Sequence, residues 1–141
     1  MSQSLHLAIR TLHVLGMALV LGGAVGVWAA VRGPVSDLRA LAMTYEWVFW
    51  AALGVLVLTG VGNLGALGAP GPETRWGAVF LVKLTLVIVF VAGSAVRTLA
   101  LVRADRAVPD GVLAAWSRRA YGLTTVTLLG IVVLAEVLAH G

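Results

Sequence analysis

Apolar residues fill four long stretches of the chain, at about 4–31, 44–67, 76–102 and 112–140, and each stretch breaks off in a short polar or Gly/Pro-rich segment. Each is long enough for the roughly 20 residues that an α-helix needs to cross a bilayer. The first runs apolar from Val14 to Val31, and the second has no charged residue between Trp47 and Pro72. The third carries Lys83 and the fourth Glu136, so each reads as a spanning helix with one buried or snorkelling ion. The breaks hold turn chemistry: Arg32-Gly33-Pro34 with Ser36 and Asp37, Gly68-Ala69-Pro70-Gly71-Pro72, and Arg103 to Gly111 with Pro109 and Asp110. The pattern predicts an all-α integral membrane protein, an antiparallel four-transmembrane-helix bundle forming a single domain over residues 1–141. The first stretch exceeds the h-region of a signal peptide and no basic residue precedes it, so it is expected to stay as a mature helix.

Composition strengthens this picture. The 141 residues are 60% hydrophobic and 11% charged, where soluble domains are roughly half apolar and a quarter charged. A core of this size cannot hide that much apolar side chain from water. With no cysteine, disulfides, thiolate metal sites, cysteine nucleophiles and iron–sulfur clusters are excluded. Ten Lys and Arg outnumber six Asp and Glu, but they sit at the ends of apolar runs rather than in one stripe. The expected partner is therefore the lipid bilayer and not nucleic acid.

Read as topology signals, the basic residues divide unevenly. Loops one and three share Arg32, Arg39, Arg97, Arg103, Arg106, Arg118 and Arg119, against Arg10, Arg75 and Lys83 on the other side. That bias of seven to three predicts loops one and three in the cytoplasm, with both termini and the second loop outside, in a bacterial inner membrane.

This topology gives the polar residues a common level. His6, Arg10 and His13 follow one another at helical spacing on one face of helix one, and Met17 extends the stripe. Lys83 in helix three, Glu136 and His140 in helix four, and Thr59 and Asn63 in helix two come to the same outer half. The inner halves read as nearly apolar. His6 and His140 lie where a solvated histidine is ordinary, and Thr59 and Asn63 where helices commonly hydrogen-bond to one another. His13 and Lys83 are harder to place structurally, since ionisable groups at that depth are costly and mark a functional interior. Glu136 reads equally well as a neutralising partner of Lys83 or Arg10 and as a group that handles the ligand. Gly22-xxx-Gly26 offers a face for a homodimer.

No paired carboxylates, phosphate loop, Ser/His/Asp set or HExxH is present, so hydrolase and nucleotide chemistry have no carrier. A positively biased pocket with histidine favours an acidic amphiphile and repels a bare cation. Haem b or a related porphyrin fits, with His13, His6 or His140 as metal ligand and Arg10 and Lys83 pairing with propionates. Copper is the alternative, though Cu(I) prefers sulfur and the chain offers only Met1, Met17 and Met43. A small structural or accessory subunit is the third reading.

The stretch Arg10-Thr-Leu-His13-Val-Leu-Gly-Met-Ala-Leu-Val-Leu-Gly22-Gly23 resembles the first helix of the CopD-like copper-resistance membrane family. Trp76-Gly77-Ala-Val-Phe-Leu-Val-Lys83-Leu-Thr-Leu-Val resembles that family's third helix. Arg10-Thr-Leu-His13 and Lys83-Leu-Thr-Leu are also similar to motifs of HemJ-type protoporphyrinogen oxidases, with Arg in place of Lys. The HemJ-type Trp and Tyr-Leu-Pro-Arg that follow are here Val20 and Val25-Gly26-Val27-Trp28, so the CopD-like family is the closer resemblance. It implies a four-helix membrane protein with a haem or copper site near His13, a redox or porphyrin-handling role of oxidoreductase type, and a membrane redox partner.

Overall fold

A computed structural model describes residues 3–34, 36–67, 71, 73–104 and 108–140, with side chains throughout except at 62–67, 139 and 140. It holds four α-helices: α1 (Gln3–Ala30), α2 (Leu38–Leu67), α3 (Arg75–Arg103) and α4 (Asp110–His140). All four are long and apolar enough to cross a membrane. The surface agrees, because Leu58, Trp47 and Leu123 are 76%, 75% and 70% exposed. Side chains of that size left bare on every helix suit lipid and not water.

Local chemistry sets the helix ends. The Asp37 carboxylate accepts from the Ala40 N–H at 2.8 Å, so α2 begins at Leu38, about two turns before the position 44 suggested by the apolar pattern. Thr74 caps α3 by accepting from the Gly77 N–H at 3.0 Å. Pro109 precedes α4, and its carbonyl accepts from the Leu113 N–H at 3.1 Å.

Neighbouring helices run antiparallel, as contacts at the two ends of the bundle show. At one end the Trp76 indole of α3 donates to the Leu138 carbonyl of α4 at 2.9 Å. At the other, the Arg39 guanidinium of α2 donates to the Ala104 carbonyl after α3 at 2.5 Å. The first is called here the terminal end, where α1 begins and α4 finishes, and the second the loop end. The helices form a ring in which α1 packs most extensively on α2, α4 touches both α1 and α3, and α2 meets α3 only sparingly. Close approach depends on two glycines. A Cβ at Gly23 would lie 2.6 Å from the Tyr45 ring, and one at Gly122 would lie 2.8 Å from Trp28 Nε1. The buried core, with Val20, Ala24, Phe49, Leu101 and Tyr121 at its centre, sits in the middle of the bundle and toward the loop end.

Candidate functional site

His13 projects from α1 toward α2, where its Nδ1 lies 2.8 Å from Thr59 Oγ1 and its Cε1 lies beside the bare backbone of Gly60. Thr59 is buried, and its hydroxyl is 2.7 Å from the Val55 carbonyl, one turn earlier in its own helix. A threonine hydroxyl has one proton. With that proton given to Val55, the oxygen can accept from His13, an arrangement that requires the tautomer with the imidazole proton on Nδ1 and the lone pair on Nε2. Lys83 on α3 is half-buried, eight residues inside the same end of the bundle. His13 and Thr59 are thus in contact, and Lys83 lies with them in the terminal half of the bundle.

The other sequence candidates lie differently. His6 and Arg10 are exposed on α1, two turns and one turn nearer the N-terminus than His13, and Glu136 is exposed on α4. Met17 is half-buried against the hydrophobic core. The side chains of His140 and Asn63 lie outside the described residues. Among the described residues, no three His, Asp or Glu side chains are gathered as a metal-binding group.

The most developed polar cluster lies in the half expected to be apolar. Glu46 of α2 and Arg97 of α3, 2% and 5% exposed, form a two-pronged ion pair: Nε donates to Oε1 at 2.8 Å and Nη2 to Oε2 at 3.1 Å. Tyr121 of α4 donates its hydroxyl to Oε1 at 2.8 Å, and Thr98 donates to Oε2. Both carboxylate oxygens therefore receive two donors, which fills their acceptor capacity. Arg97 Nη1 donates to Thr124 Oγ1 at 2.6 Å, and the guanidinium lies over the rings of Phe49, Tyr121 and Tyr45, with the Phe49 centroid at 4.8 Å. The Trp50 indole supports Thr98 at 2.9 Å, and Tyr45 reaches across to the Val20 carbonyl of α1 at 3.0 Å. Every helix is tied to this one ion pair.

Such a pair offsets its desolvation only when the geometry is this complete. Its saturation fits a fixed interhelical clamp better than a group that exchanges ligands. One polar atom stays outside the network: Ser117 Oγ, buried one turn from Tyr121, has no hydrogen-bond partner among the described residues.

Two sequence expectations change as a result. Arg97 is a buried ion and not a topology signal, because it sits about 9 Å inside the end of α3 and faces Glu46. The loop half of the bundle is not apolar, since Glu46 belongs to the spanning part of α2 and not to the polar approach before it. Glu46 and Arg97 each lie about two turns inside the loop end of a helix, and opposite charges at matched depth on antiparallel neighbours are the signal that reveals such a pair. No protein-family model, curated protein or solved structure matches this chain.

Proposed function

We propose that the chain is a CopD-like integral membrane protein that binds haem b or a related porphyrin in the terminal half of its bundle, with His13 as axial ligand. The observation that supports it is the contact of His13 Nδ1 with Thr59 Oγ1, since a hydrogen-bond partner on one ring nitrogen is what metal-binding histidines commonly have. Haem asks the protein for only one or two donors. A copper relay through His6, His13, His140 and Met17 asks for several, brought together.

In this reading Thr59 would orient the imidazole, and Lys83 would pair with a propionate or hold the iron as a second ligand. Arg10, one turn from His13, would pair with the other propionate, and His6 and Glu136, with His140 by its place in the sequence, would be the outer candidates. Bound haem supplies one-electron iron chemistry, the basis of an oxidoreductase role with a membrane redox partner. In this reading the termini and loop two face away from the cytoplasm of a bacterial inner membrane, a topology supported by the bias of the remaining basic residues, six to three once Arg97 is set aside.

An absorption spectrum of protein purified from native membranes tests this reading. A Soret band that is lost in His13→Ala, and shifted or weakened in Thr59→Val while both variants still insert, supports it. Retained copper without a Soret band transfers the site to copper uptake or tolerance, and neither one leaves an accessory subunit whose polar residues join helices.

A further inference from the structure

The loop end carries a feature that a ligand at His13 does not use. Arg32, two residues beyond α1, folds back onto Trp28. Its guanidinium carbon lies 3.8 Å from the indole centroid, and Nη1 donates to the Trp28 carbonyl at 3.1 Å. The same indole packs against α4 at Gly122. Because α1 and α4 run antiparallel, one turn from this contact toward the loop end leads to Arg32 on α1 and to Arg118 on α4. Four-residue spacing keeps Arg118 on nearly the face of Gly122, so two guanidiniums flank one seam at one level. Arg119 stands beside them, and all three are exposed.

Just below, toward the middle of the bundle, the surface is apolar, with Val25 of α1 and Leu123 and Val126 of α4 exposed at 40%, 70% and 65%. Cationic forks above a lipid-facing apolar bed match a molecule with an anionic head and hydrocarbon tails. Guanidinium suits a phosphodiester because it presents paired donors to two oxygens, and stacking on Trp28 holds Arg32 in place before anything binds. Basic clefts between spanning helices at the headgroup level are where anionic lipids are held.

We propose that the α1–α4 seam at the loop end binds the headgroup phosphate of an anionic phospholipid through Arg32, Arg118 and Arg119, with its acyl chains lying over Val25, Leu123 and Val126. This site is independent of the ligand at His13.

The test reconstitutes the full chain in mixed phosphatidylcholine and phosphatidylglycerol, then extracts it in mild detergent and measures the retained lipid by mass spectrometry. Phosphatidylglycerol is expected to be enriched several-fold over its share of the mixture. The enrichment should fall to parity in Arg32→Gln/Arg118→Gln, persist in Arg103→Gln, and survive added inorganic phosphate. Arg103 is exposed at the same end on α3, away from the seam, so it controls for general charge. No enrichment in the unaltered protein, equal loss in Arg103→Gln, or displacement by inorganic phosphate would each overturn the proposal, the last by revealing a free-anion site. Because the altered arginines are exposed, a melting temperature close to that of the parent confirms that the double variant reports on binding and not on folding.

Discussion

Glu46→Gln isolates the energetic role of the buried ion pair, because it keeps the shape of the side chain and removes its charge. Four donors converge on the carboxylate: Arg97 Nε, Arg97 Nη2, the Tyr121 hydroxyl and the Thr98 hydroxyl. An amide keeps one acceptor oxygen and turns an N–H₂ toward the other two donors. Hydrogen bonds to charged groups contribute about 1.5–3 kcal/mol each, so two lost bonds amount to ~3–6 kcal/mol. That range overlaps the about 3–5 kcal/mol found when one partner of a buried pair is removed and the other is left uncompensated. For a chain of this size the melting temperature should fall by roughly 10 °C.

The assay is thermal unfolding in detergent, run on Glu46→Gln, Arg97→Met and the double variant. Replacing both charges by neutral groups leaves no buried ion, so the double variant should be less destabilised than the sum of the single changes by at least ~1 kcal/mol. A cost below about 1 kcal/mol for Glu46→Gln, or additivity within about 0.5 kcal/mol, would refute the account of Arg97 as a charge that depends on Glu46.

Two further outcomes follow from other parts of the molecule. Gly23→Ala drives a methyl group to 2.6 Å from the Tyr45 ring and should cost about 1–3 kcal/mol, whereas Gly22→Ala, with nothing within 4 Å, should be nearly neutral; melting curves of the two variants check the contrast. For orientation, a cysteine at Ser36 should resist a membrane-impermeant reagent in intact cells and one at Gly71 should react, and the reverse would invert the proposed topology.

The four helices were legible because length and apolar character are properties of contiguous sequence, and a spanning helix needs little else. The start of α2 was less so. Thr44, Tyr45 and Glu46 look like the polar approach to a membrane segment, and only the cap from Asp37 to Ala40 and the burial of Glu46 show that the helix is already two turns old there. At the candidate site, the spacing of His13 and the depth of Lys83 placed both in the terminal half, and Thr59 was marked as a polar neighbour. Its direct bond to His13 lies 46 residues away in sequence, so local periodicity carries no trace of it. Arg97 was misread for the same reason. An arginine a few residues from a helix end looks like a flanking charge until the partner on another helix is known, and that partner is 51 residues earlier.

The buried arginine also constrains how the protein is made. An arginine and a lysine in one spanning segment each raise the cost of insertion by about 2.5–3.5 kcal/mol near the membrane centre, and α3 carries both Lys83 and Arg97. When α3 leaves the ribosome, α2 has already been synthesised with its carboxylate at matching depth, whereas Tyr121 and Thr124 have not. The arginine can therefore enter lipid as half of a neutral pair, with α2 and α3 inserting as a hairpin and α4 arriving afterwards to complete the cage. Sequence order thus makes the carboxylate available to α3 before the rest of the cage is made, and in the finished fold the ion pair joins two helices that otherwise touch only slightly.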